Sequence, residues 1–160
     1  MSVLTIGYEG LDMSTFIGAL CANKVDTLVD IRATPLSRKP GFSKKALAGH
    51  LSLAGIAYLH VGALGCPKSV RDAYRVDASW ARYKVGYLAH LGKEVAAQDA
   101  IALLAGTSNC ALLCFEADAT RCHRSLVADE LNRRHGLGVH HIDAAAAKTV
   151  SSAIGQLAVA

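Results

Sequence analysis

LLCFEADATRCHRSLVADEL, residues 112–131, starts as an apolar run, breaks into a polar turn and resumes with helical spacing, with Cys122, His123 and Arg124 at the helix mouth. Cys110, Leu112, Cys114 and Glu116 share one strand parity, so Glu116 emerges at the carboxyl end of a buried strand with apolar side chains behind it. A strand that feeds a helix through a short turn is one half of a βαβ unit, and the rest of the chain can be tested for the same rhythm.

Working outward, the rhythm repeats. Residues 3–7 (VLTIG) and 27–32 (TLVDIR) read as strands, and the helix between them is capped by Asp12 or Ser14 with Phe16, Ile17 and Leu20 inward. Pro35 and the Lys39-Pro40-Gly41 turn hold off the next helix until Ser43, which caps KKALAGHLSLAG. Residues 57–61 form a third strand, followed by the loop GALGCP. A long helix over 80–97 precedes the strand at 110–115, and residues 139–142 make a fifth. His140 and His141 alternate across that strand, which predicts one facing the core and one facing solvent. The alanine-rich residues 144–160 form a last helix. This alternation predicts an α/β fold: a single-domain, Rossmann-like three-layer sandwich over 1–160 with a mainly parallel central sheet. Gly7, Arg32, Val61 and Glu116 should then gather along one edge, where such sheets bind ligands.

Composition narrows the setting. At 160 residues and 52% hydrophobic, the chain suits one domain with a proper core. Its start lacks a signal pattern, and no apolar run reaches the roughly 18 residues of a membrane span. On those two grounds the chain is expected to be soluble and cytoplasmic, and five cysteines without a C-x-x-C pair predict reduced thiols. Net charge is +4, yet residues 31–71 hold no acid and carry Arg32, Arg38, Lys39, Lys44, Lys45, Lys68 and Arg71. Such one-sided charge favours an anionic partner, whereas a solvated face balanced by acids elsewhere in the fold is the plainer reading.

Four stretches, TIGYEG, DIRATPLSRKPGFSKKAL, LGCPKSVRDAY and LLCFEADATRCHRSLVA, together resemble the domain-of-unknown-function 488 family over about residues 4–143. The matching positions are Asp30, Arg32, Pro35, Ser37, Phe42, Glu116, Cys122, His123 and Arg124. Family members often carry His where this chain has Tyr8. The resemblance implies a shared cleft without naming what enters it.

The residues themselves propose the chemistry. Asp30 and Arg32 share a parity at a strand end, as a general base with an anion clamp or as a local ion pair. Burial is expected to raise the pKa of Asp30 and Glu116 toward the range of acid/base work. The start of the helix at Cys122-His123-Arg124 is an anion seat through its free N–H groups, its dipole and Arg124. That field would lower the Cys122 pKa and keep His123 neutral, although Cys122 also suits a small packing role. Asp30, Glu116 and His123 are therefore the catalytic candidates. Tyr8, Arg32, Ser37, Arg38, Lys44, Lys45, Cys122 and Arg124 are the anion- or substrate-binding candidates. Zinc on Cys114, Cys122 and His123 lacks a recognised ligand framework, so no metal is assigned. Phe42, Tyr58, Tyr83 and Trp80 could stack bases but are more at home in a core. The expectation is binding and processing of a phosphate-bearing ligand, a nucleotide or nucleic acid, by a hydrolase or transferase. A non-catalytic nucleic-acid-binding module and a redox or interaction protein acting through Cys122 or Cys66 are the alternatives. Cofactor and oligomeric state are left open.

Overall fold

The structure is a computed structural model and describes residues 1–146. Its strands are β1 Ser2–Gly7, β2 Thr27–Asp30, β3 Ala57–His60, β4 Cys110–Cys114 and β5 Gly138–His141. All pair in parallel in one five-stranded sheet, ordered β3-β2-β4-β1-β5. Helices α1 Met13–Ala22 and α2 Lys44–Leu53 cover one face, and α3 Lys68–Asp77, α4 Trp80–Leu91, α5 Val95–Ala105 and α6 His123–His135 the other. The expected three-layer, Rossmann-like sandwich is present.

Strand alternation builds both cores. Leu28 joins Phe16, Leu20, Leu47 and Leu51 under α1 and α2, while its neighbour Val29 joins Tyr87, Leu91, Val127 and Leu131 on the opposite side. Central β4 is buried throughout, which is why CALLC reads as an unbroken apolar run. Each fully buried Leu contributes about 1.5–3 kcal/mol, so the two clusters supply the main driving force.

Register brings the strand ends together. Gly7 pairs with Cys114, and Asp30 pairs with both Leu113 and His60. Beyond that edge β1 comes very close to the loop after β4: a Cβ added at Gly7 would stand 1.8 Å from the Glu116 carbonyl oxygen. Only a residue without a side chain allows this approach.

Several local expectations change. The second strand ends at Asp30 rather than Arg32, because the Arg32 N–H turns onto Asp30 Oδ1 at 3.1 Å. The long helix over 80–97 is two helices, α4 and α5, separated at Gly92, and α3 precedes them. Asp12 caps α1, its Oδ1 accepting from Thr15 N at 2.7 Å. Ser43 occupies the N-cap position of α2, but its hydroxyl donates to Ser37 O and accepts from Ser37 N. His140 and His141 are both exposed, because β5 is an edge strand; His141 Nδ1 lies 2.7 Å from Thr5 Oγ1. The expected tail helix begins at residues 144–146, and its remainder lies outside the described residues.

Candidate functional site

A cleft of about 430 Å³ opens at the carboxyl edge of the sheet. Arg32, Arg38, Arg71, Arg75 and Arg121 line it, with Glu116 the one acid on its wall among the described residues. Tyr8, Tyr74, Tyr83 and Phe115 supply flat apolar surface, and Ser37, Cys66 and His123 complete the polar part. Arg71 is placed by the first turns of α3, and its Nε is buried with no hydrogen-bond partner among the described residues. A buried donor left unpaired costs about 1–3 kcal/mol, which an incoming acceptor would relieve.

Asp30 and Arg32 form the ion pair that their spacing allowed. Asp30 is fully buried; Arg32 Nε donates to Oδ1 at 2.8 Å and Nη2 to Oδ2 at 2.6 Å. The Tyr58 hydroxyl donates to Oδ2 at 2.7 Å. Arg32 Nη1 reaches the Tyr8 hydroxyl at 3.1 Å and Phe42 O at 2.9 Å, and Tyr8 donates onward to Ser37 Oγ at 3.2 Å. Tyr8 also stacks on Phe42 with ring centroids 4.5 Å apart. The carboxylate is therefore spent on holding Arg32, and Arg32 and Tyr8 present the network to the cleft while Asp30 stays behind it.

On the other face of the sheet, Glu116, Cys122, His123 and Arg124 meet. Cys122 caps α6, and its thiol donates to Glu116 Oε2 at 3.1 Å. His123 Nε2 lies 3.3 Å from Ile31 O and its Nδ1 4.0 Å from Cys122 Sγ. A carbonyl can only accept, so the proton belongs on Nε2 and Nδ1 keeps its lone pair. Arg124, only 1% exposed, donates from Nε to Thr5 Oγ1 at 3.2 Å and from Nη2 to Ala117 O at 3.0 Å. Its Nη1 serves Glu116 O and Cys114 Sγ, the latter at 3.0 Å.

Electrostatics here depart from expectation. Burial pushes the Glu116 carboxyl up, but the Cys122 thiol donating to it and a backbone hydrogen bond outweigh burial and hold it below the usual carboxylate range. Burial, with Cys114 and Glu116 beside it, pushes the Cys122 thiol far up, so the expected lowering by the helix dipole is overridden. Burial lowers the pKa of His123, in line with the neutral imidazole expected. The unfolded chain protonates that histidine near pH 6.5, so acidification through this range favours unfolding.

Of the sequence candidates, Tyr8, Arg32, Ser37, Arg38, Glu116 and His123 line the cleft. Asp30, Cys122 and Arg124 are buried beside it. Lys44 and Lys45 are exposed on the first turn of α2, away from the lining. The anion seat expected at the mouth of α6 is filled by the chain itself: Cys122 Sγ accepts from Arg124 N, and Arg124 spends its fork on backbone. Among the aromatics, Phe42 is core, while Tyr83 stacks on Trp80 and reaches the cleft wall. Sequence reasoning missed Tyr74, Arg75 and Arg121. The i, i+4 pair Arg71 and Arg75 around Tyr74 was the signal for the first two.

This geometry accompanies a family match: residues 12–131 match the family described as domain of unknown function DUF488. The chain belongs to the DUF488 family. The matched span runs from the cap of α1 to Leu131 in α6, so every DUF488 element from α1 to β4 falls inside it, while β1 and β5 lie outside. No curated protein and no solved structure matches this DUF488 chain. No helix among the described residues is long and apolar enough to cross a membrane.

Proposed function

We propose that the cleft binds a phosphate-bearing ligand of nucleotide size. The observation that carries this reading is the set of five arginines lining the cleft beside one carboxylate, with the buried Arg71 Nε lacking a partner, all among the described residues. Guanidinium forks match phosphate oxygens in pairs, and tyrosine faces suit a base. The volume falls in the usual range for small-ligand pockets. Processing of the ligand, as a hydrolase or transferase, falls to Glu116, held ionised, and His123, held neutral, both on the cleft wall. The unpaired cysteines support a reducing, cytoplasmic setting. The redox alternative fits less well, since Cys122 and Cys66 are 1% and 3% exposed and burial pushes both thiols up.

Calorimetric titration with inorganic phosphate, nucleoside monophosphates and nucleoside triphosphates tests the reading. Arg71→Ala should weaken the best ligand by about 10- to 100-fold, the worth of one charge-assisted hydrogen bond. Unchanged affinity in that variant, or no binding by the whole panel, defeats it.

Nucleic acid as the phosphate source is favoured by one observation. Lys44 and Lys45 stand exposed at the amino end of α2, whose first turn carries no acid, a placement the helix dipole disfavours. On duplex DNA, Lys44→Gln with Lys45→Gln should flatten the log–log salt slope by about 2. Binding that is indifferent to salt, or absent at low salt, removes this source.

A further inference from the structure

Cys114 ends the central strand, Glu116 follows it, and Cys122 caps the next helix. Their ligand atoms lie within 4.8 Å of one another. We propose that these three side chains form a binding site for a zinc-like soft divalent cation, with one coordination position left open toward the arginine-lined cleft. The chain pattern is Cys-x-Glu-x5-Cys, which no familiar pairwise spacing announces.

Geometry is the first argument. A tetrahedral zinc with sulfur and oxygen ligands sets neighbouring ligand atoms roughly 3.3–3.8 Å apart. Cys122 Sγ and Glu116 Oε2 already sit at 3.1 Å, and all three ligand atoms lie within 4.8 Å of one another, close to that spacing. The frame is rigid as well. Cys114 lies in a strand paired on both sides, and Arg124 pins the intervening loop through Glu116 O and Ala117 O.

Charge is the second. The Arg124 guanidinium lies 3.0 Å from Cys114 Sγ and is buried with the cluster. With both thiols protonated, Glu116 balances Arg124. Replacing two thiol protons by one divalent cation leaves that balance untouched, so metal loading adds no net charge to a buried place. Arg124 also stands as a hydrogen-bond donor to a ligating sulfur, the kind of outer partner that tunes such sites.

Ligand chemistry is the third. Two sulfurs and one carboxylate select zinc or a similarly soft ion over magnesium or calcium. Cys114 and Cys122 are buried, whereas Glu116 and the adjacent His123 line the cleft. Three protein ligands with an open side describe a catalytic rather than a structural arrangement. His123 Nδ1, 4.0 Å from Cys122 Sγ, offers a further lone pair beside the cluster.

The test uses the whole chain, stripped with chelator under a thiol-free reductant. Zinc is titrated against a chromophoric chelator, and cobalt is added separately as a spectroscopic probe. One equivalent of zinc should bind, and cobalt should give a thiolate-to-metal charge-transfer band with strong visible bands of a tetrahedral site. Cys114→Ser and Cys122→Ser should each weaken zinc by about 100-fold or more and lower the charge-transfer band, which only the double change should abolish, and Cys21→Ser, on the exposed face of α1, should change neither. Should the serine variants fail to fold, X-ray absorption of the zinc-loaded wild type decides: the ion's nearest shell must hold two sulfurs, each at about 2.3 Å. No stoichiometric uptake, uptake that survives loss of both sulfurs, or a nearest shell with fewer than two sulfurs overturns the proposal. None of these readouts depends on whether the cleft binds a phosphate.

Discussion

Arg124→Met should destabilise the fold by about 4 kcal/mol, making it one of the two costliest single changes considered for this chain. Methionine nearly fills the space of the largest fully buried side chain, so little of the loss comes from a cavity. The loss comes from acceptors left behind: Thr5 Oγ1, Glu116 O and Ala117 O all lose their donor in a buried place. Each such group costs about 1–3 kcal/mol when unpaired. In a chain of this length the melting temperature should drop by roughly 10 °C. Arg124→Lys, which keeps the charge but not the fork, should fall between. Denaturant curves placing the Met variant within about 1 kcal/mol of the wild type would show that the guanidinium is replaceable.

Asp30→Ala should cost about 3–5 kcal/mol, because it leaves Arg32, 7% exposed, without its counter-ion. The Tyr58 hydroxyl and the Arg32 backbone N–H lose their acceptors in the same step. Asp30→Asn should be milder, since one oxygen can still accept from Arg32 Nε. The decisive variant is Asp30→Ala combined with Arg32→Met. If the pair is a structural unit, the double change should be less harmful than the two single costs added together by about 1–3 kcal/mol. Strict additivity would separate the two residues and reopen a role for Asp30 at the ligand.

Much of the fold is legible because the relevant signals are local. Parity in CALLC and TLVD, the break at Pro35 to Gly41 and the cap at Asp12 each act over a few residues. The 30/32 ion pair belongs to the same class. What stayed hidden depends on register and depth. Asp30 pairs with Leu113 and shares its face, whereas Cys114 and Glu116 point the other way. Carboxylates that both close their strands therefore meet on opposite faces of the sheet. Nothing in either segment alone fixes that relation. Depth explains Cys122: a helix start lowers a thiol pKa when water reaches it, but here the cap is buried. Tyr74 and Arg75 of α3 were missed for a third reason, namely that Lys68, Arg71 and Arg75 give the segment the look of a polar connection although Val70 and Tyr74 pack on the sheet side.

The strand order also dictates a timetable for synthesis. β1 pairs with β4 and β5, and the inner neighbour of β2 is again β4. Until residue 110 has emerged, only β2 and β3, bridged by α2, can join as neighbours. The first strand made must wait for the last two, with its apolar residues Val3, Leu4 and Ile6 unshielded during translation. Long-range parallel pairing of this kind is slow and leaves sticky intermediates. The central strand that carries Cys114 to the site is thus also the segment whose arrival closes the sheet, so assembly of the framework and of the ligand cluster coincide in time.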